Sequence, residues 1–501
     1  MANHRSPQNR SKSLSHMLLV AQSRDLNLRS VLSYPLGPIP WSLATADGSL
    51  RKTSKSTFRS ILRKLSPTVE NIALPSVVII DGMHLLHKVQ CDNKTFEEIA
   101  DQVFTMSLSQ SRASRRVDLV FDVYKEQSIK AEEREARGSS TGLEHRYINR
   151  GHKVKSWKKF LRNSKNKTAL IAFLNSEWRN KTFLEKLNEK ELYVTLEEDC
   201  YRYYQNGWEI VPRLHSNHEE ADTRVFLHVR DAAPVFRTVL LNAEDTDIVV
   251  IGTTFAKSFP CDLMQMTKLS GTVTYTNLTV IADTLGETLS KALIGYHAFT
   301  GNDAVSAFAG KGKVAGYNYL KKMEEFQETF SELGCHEMMD GNLLKKLEKF
   351  VCKIYASKSN ISDVNECRYI LFTSRRGEID SVHLPPCRDA LHQHSLRANY
   401  LAGLWRQSLV NEMEIPSALD HGWKEASGQL RPLWMTCLPA PEAVLELLSC
   451  DCKKSCGESC PCKNNNMKCT MMCKVHPCDN WPDEQVIDYA EEDDESDSEE
   501  D

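Results

Sequence analysis

The sequence predicts an α/β fold built on a parallel sheet, and three observations carry that expectation. Continuous β-branched or aliphatic runs, Ser76–Ile80 and Thr238–Asn242 foremost, read as strands buried on both faces. Helical patterns lie between such runs, at Thr95–Ser107, His218–Val229 and Leu285–Phe299. Strand and helix alternate along the chain, as they do in βαβ units.

Along the chain, residues 1–70 form a basic N-terminal segment. Pro35, Pro38 and Pro40 interrupt regular structure there, and a short basic helix over Ser56–Leu65 is placed to dock on the next domain. Residues 71–320 hold the α/β domain. Its strands are expected at Ser76–Ile80, ending in Asp81-Gly82, then at Asp118–Asp122, Trp208–Pro212 and Thr238–Asn242. Asp247–Gly252 is either a strand or a buried turn into a helix, and Thr279–Asp283 reads as a further strand. Residues 146–167 interrupt this pattern with nine Lys or Arg and no acid, interleaved with Tyr147, Trp157 and Phe160. Residues 321–436 read as a mainly helical extension, the patterns Tyr317–Leu333 and Asn342–Ala356 among them. Residues 437–480 carry the cysteine cluster, and 481–501 are an acidic, disordered tail.

Composition sets the class. Among 501 residues, 41% are hydrophobic and 26% charged, which suits a globular protein with room for an enzyme core. No apolar run reaches the roughly 18 residues of a membrane span, and the N-terminal run Met17–Ala21 is too short for a secretory signal. The expected location is nuclear, with cytoplasmic as the alternative. Residues 491–501 contain nine acids, and without them the formal net charge of −4 becomes +5. A basic body with an acidic tail points to a nucleic-acid partner, or simply to a solvated tail on an ordinary protein.

The acids fall in an informative pattern. Asp81 and Asp122 each end a strand, and Asp245 and Asp247 follow another. Sites in open α/β sheets lie beyond the carboxyl ends of strands, so these side chains are expected to converge. Glu219, Glu220 and Asp222 open a helix, with Glu219 and Asp222 three apart and therefore on one face, and Asp303 stands at another helix start. Crowded carboxylates raise one another's pKa and oppose folding unless a cation neutralises them. An all-oxygen ligand set favours Mg²⁺ or Mn²⁺. Two such ions activate water and stabilise the leaving oxygen in phosphodiester cleavage. Taken singly, each Asp is as well explained as a helix cap, and EEAD as a complement to the helix dipole.

The ordered set IIDG, LVFD, EEAD, AEDTD and TGND followed by GKGK resembles the flap-endonuclease and PIN-like nuclease superfamily, over about residues 70–320. The resemblance implies a PIN-like parallel sheet with flanking helices. It makes Asp81 and Asp122 strand-end metal ligands, Glu220 and Asp222 the paired acids opening a helix, Asp245 and Asp247 the D-x-D pair, and Asp303 the aspartate before the DNA-binding hairpin helices; Glu219 is an extra acid. It places Lys125, Lys130 and Arg134 where bases reach the scissile phosphate, although an exposed helix face explains them equally. It reads residues 146–167 as a clamp in which Arg150, Lys153, Lys155, Lys158 and Lys159 contact phosphate and Trp157 stacks on unpaired bases, against a plain basic loop. It reads Gly310, Lys311, Gly312 and Lys313 as a contact to duplex DNA, with the glycines admitting a phosphate to the backbone.

Eight of the 16 cysteines crowd into 29 residues: Cys450, Cys452, Cys456, Cys460, Cys462, Cys469, Cys473 and Cys478. So short a segment cannot build a core, so metal is expected to hold it, and thiolates suit zinc. The stretch resembles the tesmin-type CXC domain, a DNA-binding cluster typically built from nine cysteines around three zincs. This copy has eight, with His476 available as a ninth ligand, so two or three ions are expected. Lys453 and Lys454 are candidate phosphate contacts, along with Lys463 and Lys468. Taken together, these features predict a Mg²⁺- or Mn²⁺-dependent nuclease tethered to DNA by a zinc cluster. An inactive DNA- or chromatin-binding scaffold and an RNA-directed nuclease are the alternatives.

Overall fold

The computed structural model describes residues 27–480 except 74–75, 111–113, 126–127, 131–143, 146, 270–271, 375–380, 443, 445–449, 451, 454, 465–468, 470–472 and 476–477. The expectations for Arg134, Lys454, Lys468, His476 and the acidic tail 481–501 lie outside the described residues. The chain divides into two compact units, Leu50–Phe350 with His392–Trp434, and the remainder, which comprises Met1–Ser49, Val351–Leu391 and Met435–Asp501. The described part of the second unit includes the cysteine module. There too the buried Arg368 guanidinium donates to the carbonyls of Leu32 at 2.8 Å and Tyr34 at 3.0 Å.

The first unit is α/β, with a nine-stranded mixed sheet. Its strands in chain order are β1 (Thr68–Val69), β2 (Ser76–Asp81), β3 (Arg116–Val120), β4 (Glu191–Leu196), β5 (Asp199–Tyr204), β6 (Gly207–Ile210), β7 (Thr238–Asn242), β8 (Asp262–Leu269) and β9 (Thr272–Asn277). Across the sheet the order is β1-β9-β8-β7-β2-β3-β4-β5-β6. The five central strands β8, β7, β2, β3 and β4 run parallel. Antiparallel pairs extend the sheet on both sides. Val77–Ile80 of β2 and Val239–Leu241 of β7 are at most 2% exposed, as the unbroken apolar runs require of strands covered on both faces. In register, Ile80 lies opposite Asn242 and Asp81 opposite Val120. The three central strands therefore end together, and the residues after them emerge along one edge.

Several expectations need correction. The sheet is mixed rather than parallel. Within the Trp208–Pro212 run only Trp208–Ile210 is strand, in the largely exposed edge strand β6, and Pro212 already opens a 3-10 turn. Thr279–Asp283 is no strand but part of a helix, Leu278–Leu285, and Asp247–Gly252 lies in the helix Thr246–Phe255. Short β-branched runs carry no period long enough to separate strand from buried helix. Strands β4, β5, β8 and β9 went unrecognised because polar residues break their apolar runs. Tyr317–Leu333 is two helices, Lys313–Lys322 and Glu324–Glu332.

The basic segment 146–167 is not a free clamp. Lys153–Val154 pairs antiparallel with Lys94–Thr95, and a helix follows at Trp157–Arg162. Trp157 and Phe160 are 5% and 4% exposed and stack at 5.5 Å, and the Trp157 indole donates to the Leu86 carbonyl at 2.9 Å. Trp157 is a core residue and cannot stack on a nucleobase. Lys153, Lys155, Lys158 and Lys159 stay exposed, and Arg150 pairs with Glu97 at 2.8 Å and Glu177 at 3.2 Å.

Candidate metal centre

Asp81 closes β2 and caps the helix Gly82–Lys88, with Oδ1 accepting from the backbone N–H of Met83 at 2.9 Å and His84 at 3.1 Å. Its successor must be glycine, because a Cβ at Gly82 would fall 2.2 Å from the Phe121 ring. Phe121 is the residue before Asp122, so this close packing sets the ends of β2 and β3 side by side. Asp122 Oδ1 in turn accepts from the Ala221 backbone N–H at 2.8 Å, fixing the start of the helix Ala221–Ala232 that carries Asp222. Asp245 caps the helix Thr246–Phe255 through the Asp247 N–H at 2.9 Å. The capping explanation thus holds for Asp81 and Asp245, yet each keeps a second oxygen to offer. Asp222, Asp245 and Asp247 each bring a carboxylate oxygen within 4.8 Å of the others, a group that can hold a metal ion.

Two lysines stand among the acids. Lys55 Nζ lies 2.9 Å from Asp303, 3.3 Å from Asp247 and 3.5 Å from Asp245. Lys130 Nζ lies 2.8 Å from Glu220 and 3.9 Å from Asp222. Lys130 therefore neutralises acids rather than standing clear for a phosphate, whereas Lys125 is exposed. Lys55 was missed by the sequence reading, which saw only a basic helix. That helix is Lys55–Arg63, and Phe58, fully buried against Tyr296, His297 and Tyr317, anchors it. Lys55 is three residues before Phe58 and so shares its inward face. His297 was missed as well. It sits inside the apolar helix Glu287–Phe299, and its Nε2 meets Asp247 Oδ1 at 2.8 Å. Burial lowers His297 to about 4, so the ring is neutral and Nε2–H is the donor that orients Asp247.

Seven carboxylates (Asp81, Asp122, Glu220, Asp222, Asp245, Asp247, Asp303) share this region with the two ammonium groups, and their electrostatics divide accordingly. Burial opposes the charge on Asp247, but Lys55 and the His297 hydrogen bond outweigh it and hold the carboxyl well below the usual range. Asp303 is likewise lowered by Lys55 against its burial. Burial and then Asp122 push Asp81 up to about 7. Burial and then Asp245 raise Asp222 well above its ordinary value, and burial and then Asp247 raise Asp245. Burial also raises Glu220, although Lys130 opposes it. The two lysines offset part of the negative charge, yet Asp81, Glu220, Asp222 and Asp245 stay raised, an imbalance that a bound cation would relieve.

A pH dependence follows. Groups raised in the fold stabilise it below about pH 4, where both states are protonated, and that stability is lost as pH climbs through the folded value, near 7 for Asp81. Asp247 and Asp303 act oppositely, but their stabilisation disappears only below about pH 4. In chelator, the first unit's melting temperature is therefore expected to fall by roughly 5 °C between pH 5 and 7.5. Mg²⁺ or Mn²⁺ should reverse the fall, and Asp222→Asn should flatten it. A metal-free melting temperature that rises across this window would contradict the electrostatics.

The other expected site residues are distributed differently. Glu219 precedes the helix instead of sharing a face with Asp222, and it lines a neighbouring cavity. Asp303 stands in a loop and not at a helix start, since the next helix begins at Lys313. Lys313 is 2% exposed, its Nζ donating to the His297 carbonyl at 2.9 Å and Thr300 Oγ1 at 2.8 Å, so it braces the loop and cannot contact DNA. Gly310 adopts φ +66° with open space around it, whereas Gly312 has an ordinary φ of −70° that any residue tolerates. Lys311 is half-buried.

In the second unit, Cys450, Cys456, Cys460, Cys462, Cys469 and Cys473 are at most 2% exposed. Together with Cys452 and Cys478 they form, among the described residues, three groups able to hold a metal ion: Cys450, Cys452, Cys456 and Cys460; Cys450, Cys462, Cys469 and Cys473; and Cys456, Cys469 and Cys478. Sulfur–sulfur separations run from 3.5 Å (Cys450–Cys456) to 3.9 Å (Cys450–Cys469). These are far beyond the ~2.05 Å of a disulfide, and they match the roughly 3.8 Å set by tetrahedral coordination with ~2.3 Å metal–sulfur bonds. Cys450, Cys456 and Cys469 each belong to two groups and are positioned to bridge. Lys453 is exposed. Among the described residues, no helix is long and apolar enough to cross a membrane. The chain matches no protein-family model, and no curated protein is detectably similar to it in sequence.

Proposed function

We propose that this protein is a Mg²⁺- or Mn²⁺-dependent nuclease of the PIN-like kind that hydrolyses phosphodiester bonds in DNA, works in the nucleus and is tethered to its substrate by a zinc-loaded CXC module. The observation that carries this reading is the meeting of Asp222, Asp245 and Asp247, with oxygens within 4.8 Å, beside Asp81 and Asp122 at the carboxyl ends of the sheet's parallel central strands. Those residues are the ones that would hold the cation. Bound there, it would lend charge to activate water and stabilise the leaving oxygen of a phosphodiester. The neutral His297 holds Asp247 in its ionised form and fixed orientation. Lys55 and Lys130 keep the acids gathered before substrate arrives, and the exposed Lys125 supplies positive charge at the rim. The exposed lysines at 153, 155, 158 and 159 and in the cysteine module suit backbone phosphates.

One observation favours a second reading. Lys55 sits among Asp245, Asp247 and Asp303 as a built-in cation, which suits a fold that balances its own acids and serves as a DNA-binding scaffold. Incubating the purified full-length protein with flap, nicked and single-stranded DNA, and with single-stranded RNA, in Mn²⁺ separates the readings. Metal-dependent cleavage of DNA is the expected result. Intact DNA binding with no cleavage and no Mn²⁺ uptake by calorimetry would establish the scaffold, and cleavage confined to RNA would redirect the substrate.

A further inference from the structure

Beside the acids, within the same unit, lies a cavity of about 130 Å³. Glu220 belongs to both places: it lines the cavity and pairs with Lys130 in the acidic cluster. The two places therefore share that side chain. The remaining lining is largely apolar, from Ile129, Leu404, Met413 and Ile415, with Tyr400 and Trp405 supplying aromatic rings. Trp405 is 1% exposed and is held by stacking on His297 at 5.6 Å. Its indole N–H has no hydrogen-bond partner among the described residues. That nitrogen is itself closed off from solvent, so what Trp405 offers the cavity is the apolar part of its ring. Tyr400 is fixed by a tilted contact with His421 and an edge contact with Trp423, both at 5.2 Å between ring centroids.

We propose that this cavity receives one nucleobase of single-stranded DNA, turned out beside the phosphate that lies at the acidic cluster; the proposal rests on the nuclease reading above. The volume is well below the ~300–1,000 Å³ of drug-sized sites and suits a single ring system. An aliphatic ligand would match the apolar walls but offer nothing to the carboxylates of Glu219 and Glu220, which also line the cavity. A nucleobase matches both, with flat faces for Tyr400 and the aliphatic side chains and amino or ring N–H donors for the carboxylates. Glu219, which also lines the cavity, is an acceptor for an exocyclic amine. Lys125, exposed on the rim, suits the adjoining phosphate.

The test walks a single abasic nucleotide along a short single-stranded DNA and follows both binding to the full-length protein and Mn²⁺-dependent cleavage. At one position relative to the cut, loss of the base is expected to weaken binding and slow cleavage about tenfold, the size of one base–aromatic contact. A 2-aminopurine at that position should change its fluorescence on binding. Two variants fill the cavity: Ile415→Trp at a side chain 47% exposed, where folding tolerates bulk, and Leu404→Trp deeper in. Both should bind intact and abasic DNA equally while keeping the wild-type melting temperature and Mn²⁺ affinity. Cleavage with no base preference at any position, or an undiminished preference in both variants, overturns the pocket and leaves the nuclease reading intact. Base preference with neither cleavage nor Mn²⁺ binding upholds the pocket and overturns the nuclease reading.

Discussion

Replacing Asp222 with asparagine is expected to lower Mn²⁺-dependent DNA cleavage by about 10³-fold while leaving the fold at least as stable as the wild type. The magnitude is that of losing several kcal/mol of metal-supplied charge stabilisation, at about 1.36 kcal/mol per tenfold in rate. The stability follows from the surroundings of Asp222. Burial and the neighbouring Asp245 disfavour its charge, and Lys130 at 3.9 Å compensates only in part, so a neutral isostere relieves repulsion in the metal-free protein. Asp247→Asn should behave differently. It should cost comparable activity, but it should also destabilise, because Lys55 loses one of its carboxylate partners and the buried His297 loses the ionised acceptor that its N–H serves. Single-turnover cleavage and thermal melts of the two variants make the comparison. Full activity in Asp222→Asn would remove the metal from the mechanism. Equal melting temperatures in the two variants would remove the structural role assigned to Asp247.

Stripping metal from the cysteine module is expected to unfold it outright while the sheet-bearing unit keeps its own transition. Among the module's described residues, the buried cluster consists of the cysteine side chains themselves. Structural zinc in small domains contributes roughly 10–16 kcal/mol at neutral pH, which no other interaction in so short a segment replaces. Elemental analysis of the full-length protein should find two or three zinc ions, and a strong chelator should abolish amide protection between Cys450 and Cys478 and weaken DNA binding. The bridging positions sharpen the test. Cys456→Ser removes a ligand from two groups and should release more zinc than Cys452→Ser, which touches one. Equal losses would argue for separate sites. Thiols that resist alkylation after chelation yet react after reduction would mean disulfides, against the 3.5–3.9 Å sulfur separations.

Much of this was legible in the linear sequence, for identifiable reasons. Continuous aliphatic runs marked β7 to the residue and β2 to within one, because a strand buried on both faces is apolar along its middle. Acids placed just after such runs were bound to gather at one sheet edge, so Asp81, Asp122, Asp245 and Asp247 could be named from position alone. The cysteines could be read as metal ligands because 29 residues cannot bury enough apolar surface to fold otherwise. Which residues answer those acids was decided only in three dimensions. Lys55 is 192 positions from Asp247 and 248 from Asp303, and nothing in its helix distinguishes it from other basic residues until Phe58 turns that face inward. Lys313 and Trp157 carried the chemistry of DNA contacts in the sequence and proved to be buried. Whether a lysine meets solvent or a carbonyl, and whether an indole meets a base or the core, depends on packing partners that distant segments bring, and local sequence does not encode them.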